Sequence, residues 1–358
     1  MTRDYSKFLP TSSNAPEKTP ELPPLAALGW QPFFAQQISI EQMTETPPLR
    51  VTEVHRNGLQ ARGDGIDMHI PHGPDATVGD WILLNRELPS SSAVLERKSL
   101  IKRRAPGKTL GIQMIAANLD TAFIVSSCND DFNVARMERF IALAFEADVS
   151  PVIVLTKTDK CNTPDTYIAA AEALSPLVPV VALNAKSDAP QAMLAPWCKP
   201  GQTVAFLGMS GVGKSTLTNA LAGNTAITTQ AVREDDARGR HTTTRRNLYF
   251  LASGCAVLDT PGMRELQLTD AASGVAEMFS DLDELGTHCK FNDCKHTVEP
   301  GCAVTAAVAN GDIDPARLAR WQKLVAEDLH NSATLAERRT KDKALGKLIR
   351  SVQKKKKK

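Results

Sequence analysis

The stretch VAFLGMSGVGKSTLTN, residues 204–219, decides the fold. An apolar run, Val204 to Leu207, enters a glycine-rich loop, and a helix-forming stretch with Leu217 and Leu221 on one side follows it. Strand, loop and helix in that order are what a phosphate-binding P-loop requires. Gly208, Gly211 and Gly213, with Met209, Ser210 and Val212 between them, let backbone N–H groups ring a polyphosphate. Lys214 reaches the terminal phosphates, Ser215 can ligate Mg²⁺, and Thr216 opens the helix, whose N-terminus adds partial positive charge. The bland alternative is a tight turn in some other α/β unit, and the flanking strand and helix argue against it.

Upstream, PVIVLTKTD (residues 151–159) reads as a buried parallel strand, Val152 to Leu155, delivering Thr156, Lys157, Thr158 and Asp159 at its C-terminal end. Ligands bind at that end in open α/β sheets. The Asp159 carboxylate can accept from both the ring N–H and the exocyclic amine of guanine, a donor pair that adenine lacks. The aliphatic stem of Lys157 can cover the base plane. TKTD alone is a weak signal; beside a P-loop in one chain it is strong. Asn184-Ala185-Lys186, after a further strand, is a candidate purine-contacting loop.

Downstream of the P-loop, residues 231–247 are polar, charged and aperiodic, the texture of a mobile loop, and Thr242, Thr243 and Thr244 offer hydroxyls for Mg²⁺ or a γ-phosphate. Asp259-Thr260-Pro261-Gly262 then sets a carboxylate in the outer shell of Mg²⁺ and a glycine N–H toward the γ-phosphate. GTPases usually run P-loop, switch threonine, DxxG, base motif. Here the base motif comes first, which is a circular permutation that a sheet tolerates because its old termini lie close together at the surface. The switch segments then lead directly into the C-terminal region, so γ-phosphate occupancy can be transmitted there.

Chain length and charge bound the rest. At 358 residues the chain has room for two or three domains. Net charge is only +2, but residues 338–358 hold eleven Lys or Arg against one Asp, a solvated arm suited to polyanions. No stretch approaches the apolar length of a membrane span and no apolar signal core opens the chain, so the expectation is a cytoplasmic protein without a membrane partner. Residues 1–24 are rich in Pro, Ser, Thr and Glu, and disorder is expected. Trp30, Phe33 and Phe34 lie near a short helix broken by Pro32. From Leu49, the short alternating segments LRVTEVHR, LQARG, DMHIPHG, GDWILLN and, last, AVLERKSLIKRR (residues 93–104), punctuated by Asn57-Gly58, Gly63 and Gly65, carry the signature of a small closed sheet, five strands in an OB-type barrel. RKSLIKRRAPGK, residues 97–108, contributes six basic residues and no acid, either a nucleic-acid face or a charged edge strand plus linker.

Cys289, Cys294, His296 and Cys302 form C-x4-C-x-H-x5-C, a closed shell of three thiolates and an imidazole that fits structural Zn²⁺ better than a catalytic site; buried free thiols are the alternative. His288, directly beside Cys289, is an awkward competitor. Residues 315–330 read as a helix with Leu318, Trp321, Leu324, Val325 and Leu329 on one face.

GMSGVGKST, GRHTTT, DTPGMRE and the Cys-Cys-His-Cys knuckle, in this order and behind a barrel-like segment, resemble the RsgA family of circularly permuted GTPases over about residues 45–335. The resemblance implies a multidomain α/β architecture. Its parts are an extension (1–45), an OB-fold RNA-binding domain (46–108), a permuted GTPase domain (109–270), a helical zinc-binding domain (271–335) and a basic tail (336–358). It implies a monomer that binds GTP and GDP, the 30S subunit and 16S rRNA, and hydrolyses GTP when the subunit stimulates it late in assembly. Residue by residue, Lys214 and Ser215 serve phosphates and Mg²⁺, Thr243 the switch-I contact with Mg²⁺, and Asp259 with Gly262 the switch-II role. Met263 stands where many GTPases orient water with Gln, so intrinsic turnover is expected to be slow, and His241 is the substitute candidate, against an exposed loop His with no catalytic part. Thr156 replaces the usual Asn of the base motif, which puts affinity in question more than guanine preference. The competing readings are an RNA-binding switch with negligible turnover and an ATP-dependent nucleic-acid enzyme.

Overall fold

The computed structural model describes residues 22–55, 57–104, 112–222, 246–259 and 271–332, with only the backbone of Arg104 and Asp259. Residues 1–21 of the segment 1–24 expected to be disordered, residues 231–245 of the loop expected over 231–247, and the whole basic tail, 336–358, lie outside them, while Pro24 starts a helix and Arg246 and Asn247 start a strand.

Residues 22–45 carry three short helices, α1 (Pro24–Ala27), α2 (Pro32–Ala35) and α3 (Ile40–Glu45). Pro32 starts α2 instead of breaking a helix, because at the first helical position its missing N–H costs nothing. Phe34 is buried, and Trp30 and Phe34 stack around Trp81 with ring centroids 4.7 and 5.9 Å away. The extension is thus pinned by aromatic packing.

The small sheet contains β1 (Pro48–His55), β2 (Gly58–Gly63), β3 (Ile66–Pro71), β4 (Trp81–Leu83) and β5 (Ala93–Val94), all antiparallel, in the order β3-β2-β1-β4-β5. Among the described residues no ladder joins β3 to β5. The segment expected as one last strand, residues 93–104, splits: β6 (Leu100–Arg104) leaves this sheet and pairs with β7 (Ile112–Ala117), so that ladder crosses the division expected at residue 108.

Central strands that read apolar on both faces belong in a parallel sheet covered on both sides. β8 (Thr121–Ser127), β9 (Ser150–Thr156), β10 (Val180–Ala182), β11 (Thr203–Leu207) and β13 (Ala256–Asp259) form such a sheet, with β12 (Arg246–Phe250) antiparallel on β13. Ile124, Ile153, Leu155, Ala205 and Leu207 enter one core, while Phe123, Val125, Val152, Val154, Val204 and Phe206 enter the other. α4 (Val134–Glu146) and α5 (Pro164–Glu172) contribute to the first core. α6 (Ala189–Leu194) and α7 (Lys214–Ala222) contribute to the second. Antiparallel pairing of β1 with β12, Glu53↔Asn247 and Val54↔Arg246, runs the small sheet into the large one. Buried Arg50 locks that junction, donating to the Leu28 and Asn118 carbonyls and, at 2.8 Å, to the Thr203 hydroxyl. Burial lowers its pKa to about 10.

The C-terminal region has α8 (Ala272–Met278), α9 (Ser280–Thr287), α10 (Ala303–Asn310) and α11 (Pro315–Ser332). Leu282, Cys302, Val304 and Leu324 share the first core with α4. The face expected on α11 is correct for Leu324, which is buried, but Leu329 stays exposed. Glu138 of α4, fully buried, takes both oxygens to the Arg320 guanidinium at 2.8 and 2.9 Å, and Arg139 pairs with Glu327. Among the described residues no helix is long and apolar enough to cross a membrane.

Candidate nucleotide and metal sites

The nucleotide site is assembled at the C-terminal ends of the parallel strands. β11 is wholly buried and delivers Gly208, whose φ is +143° and whose added Cβ would meet the Val125 carbonyl oxygen at 2.3 Å. Only glycine fits so close a passage between strands. Gly211 and Gly213 also have positive φ, +82° and +106°, and the loop opens into α7 at Lys214. The Lys214 ammonium donates to the Gly208 carbonyl at 2.7 Å and to that of Met209, so it lies across the loop it serves. Met209, Ser210, Gly211 and Ser215 are exposed, while Val212 is buried and anchors the loop; Thr216 is half-buried on α7.

The base motif meets this loop directly. Fully buried Thr156, the last residue of β9, donates its hydroxyl to the Val212 carbonyl at 2.6 Å, and its Oγ1 also lies 3.2 Å from the Ser126 carbonyl. Two residues beyond Val212 is Lys214; three beyond Thr156 is Asp159. A single hydrogen bond therefore joins the two motifs through residues that stand 56 positions apart in the chain. Lys157 takes a left-handed backbone, φ +59°, and turns the chain so that Thr158 and Asp159 enter a short 3₁₀ turn with Asp159 exposed. β10 pairs with β9 and brings Asn184, Ala185 and Lys186 alongside, with the Asn184 side chain accepting from the Lys186 N–H at 2.9 Å. The tie through Thr156 is the functional contact that sequence does not reveal; its signal was the departure from Asn at that position.

β13 runs parallel to β11 in the register Ala205↔Leu258, so Asp259 follows at the level of the P-loop strand's end. His241, Thr243, Gly262 and Met263 lie outside the described residues.

The metal site is the second constellation. Cys289, Cys294, His296 and Cys302 bring their ligand atoms within 4.8 Å of one another. Cys289 Sγ lies 3.8 Å from Cys302 Sγ and 3.5 Å from His296 Nδ1, and His296 Nδ1 lies 3.4 Å from Cys302 Sγ. A tetrahedron with metal–sulfur bonds of about 2.3 Å has sulfur–sulfur edges of about 3.8 Å, so the donor set fits a zinc-sized ion. Left-handed His296, φ +55°, turns its ring inward. His288 instead faces the Glu284 carbonyl, 3.1 Å from its Nδ1, and stays out of the cluster. Burial raises the Cys302 pKa, but the Thr305 hydroxyl and N–H and the His296 ring outweigh it and bring the thiol down to about 6. A thiol so placed at the start of α10 is poised to bind as thiolate.

The basic segment is partly spent on structure. Arg97 pairs with Asp80 at 2.8 Å and Lys98 with Asp120 at 2.7 Å, and Arg103 reaches Gln113. Residues 105–108 and the Arg104 side chain lie outside the description.

The RsgA GTPase family model matches residues 94–269. The small ribosomal subunit biogenesis GTPase RsgA 2 of Vibrio parahaemolyticus is 47% identical over 332 residues, covering 92% of this chain and 92% of its own. RsgA of Mesorhizobium japonicum is 46% identical over 322 residues, covering 88% of this chain and 92% of its own. Among solved structures, YjeQ from Thermotoga maritima superposes with a TM-score of 0.57 at 26% identity, covering 79% of this chain and 98% of its own. YloQ, described as a circularly permuted GTPase, shares the fold with a TM-score of 0.56 at 21% identity, covering 83% of this chain and all of its own. With the P-loop following the base motif in the chain and relatives alike over nearly their whole length, the chain belongs to the RsgA family of GTPases.

Proposed function

We propose that this chain is a GTP hydrolase of small ribosomal subunit biogenesis, binding the 30S subunit and using GTP hydrolysis to time its own release. The observation that supports this reading is the Thr156–Val212 hydrogen bond, which ties the strand end leading to Asp159 to the glycine-rich loop leading to Lys214. The P-loop from Gly208 to Thr216 takes the phosphates and Thr156 to Asp159 the base. Ser215, Thr243 and Asp259 would hold Mg²⁺, which neutralises charge on the phosphate oxygens when bound. His241 is the group assigned to the attacking water, since Met263 has no polar atom able to orient it. The small sheet at 46–108, read as an OB-type module, and the metal-pinned helical region at 271–335 are assigned to 16S rRNA, and the Cys₃His site to structural Zn²⁺. The protein acts as a cytoplasmic monomer.

GTP turnover measured with and without 30S subunits tests this directly. Stimulation by the subunit, lost in His241→Ala with GTP affinity retained, is the expected result. Absence of stimulation would favour a non-hydrolysing RNA-binding switch, and ATP binding as tight as GTP would contradict the role given to Asp159.

A further inference from the structure

Beside the metal centre lies a cavity of about 290 Å³ that GTP chemistry does not use. Three elements form it: Asp283 and Thr287 of α9, Phe291 and Asn292 of the metal-binding loop, and Trp321 of α11. Cys294 and His296 line it but Cys289 and Cys302 do not, so it adjoins the ligand shell without being that shell. Phe291 is 42% exposed, with the Lys290 ammonium 5.6 Å from its ring centroid. Trp321 packs on the His296 ring at 5.2 Å, and its neighbour Gln322 donates to the His296 carbonyl at 3.0 Å. A metal held by His296 would therefore help to fix where the two aromatic walls stand relative to each other.

We propose that this cavity is a slot for one unstacked base of single-stranded RNA. The volume sits at the lower end of small-molecule clefts, about 300 Å³, which suits a single heterocycle. An aromatic face accessible to solvent beside lysines is the arrangement on which proteins stack unpaired bases. Lys290 and Lys295, both exposed on this loop, are placed for the flanking phosphates. Asp283 can accept from ring or amino N–H groups, and Asn292 can both donate and accept, so the rim reads a base edge. An aliphatic peptide anchor would leave these polar groups facing carbon. The slot rests on the ribosomal reading above and specifies where one RNA contact is made.

The test uses the full chain loaded with zinc and purified 30S subunits. Affinity is measured for the wild type, Phe291→Ala, Phe291→Leu and Phe291→Tyr, with zinc content and basal GTP turnover checked for each. Ultraviolet cross-linking then asks which 30S component attaches to the Phe291 peptide. The slot predicts that Ala and Leu each weaken 30S binding by about tenfold or more and that Tyr stays within about twofold. It also predicts unchanged zinc content and turnover, and a nucleotide adduct on the peptide. Leu binding as well as Tyr, wild-type affinity in Phe291→Ala, or a cross-link only to protein would overturn the slot while leaving the ribosomal reading intact. Failure of the wild type itself to bind 30S would remove that reading and the slot with it.

Discussion

The candidate nucleotide pocket and the candidate metal knuckle solve one problem by opposite physics. Each must gather residues that are scattered along the chain. The pocket does so with a sheet whose central strands are buried on both faces, so its loops hang from a packed scaffold. The knuckle, residues 289–302, has neither helix nor strand, and only Cys302 in it is buried. Its four candidate ligands converge on one point, and Gln322 of α11 donates to its His296 carbonyl. Scaffold-built sites keep their shape without a ligand, whereas ligand-built sites make binding and folding one equilibrium.

Removing the metal gives the largest expected effect. Structural zinc supplies about 10–16 kcal/mol to small domains that cannot fold without it. A chelator should abolish hydrogen-exchange protection around residues 289–302 while GTP affinity changes by no more than about twofold. Equal loss at both sites would break the contrast. Next comes Arg320→Ala, which removes the hydrogen-bonded partner of the buried Glu138 carboxylate and leaves it only Arg317 at 3.9 Å; burial already raises the Glu138 pKa although Arg320 and Arg317 oppose the rise. Stranding one partner of a buried pair costs about 3–5 kcal/mol. Urea unfolding should show that loss, and Glu138→Gln added to it should restore part. The smallest effect is expected at the pocket's own tie: Thr156→Val leaves the Val212 carbonyl without its donor, at a cost of about 1–3 kcal/mol. GTP affinity should fall about tenfold, with Thr156→Ser near wild type.

The same contrast explains what could be read from sequence. P-loop, base motif and cysteine cluster are local strings with a fixed spacing, so a tight glycine loop at Gly208 and the convergence of Cys289, Cys294, His296 and Cys302 could be read from them. Contacts made between distant segments leave no such string. Arg97 and Lys98 looked like a nucleic-acid face, yet they close on Asp80 and Asp120 because tertiary folding brings those acids to them. Trp321 read as one more core position on a helical face, and only the knuckle packed against it makes it the wall of a cavity. Likewise β6 looked like the barrel's final strand until β7 offered it a partner.

The central claim is that one guanine nucleotide is held between Asp159 and the P-loop despite their reversed order in the chain. Replacing Asp159 by Asn turns one of its two acceptors into a donor, which suits xanthine, with a carbonyl where guanine has an amine. Binding of GTP and XTP to the wild type and to Asp159→Asn tests this most directly. The variant should lose GTP and gain XTP. An unchanged preference for GTP would contradict it.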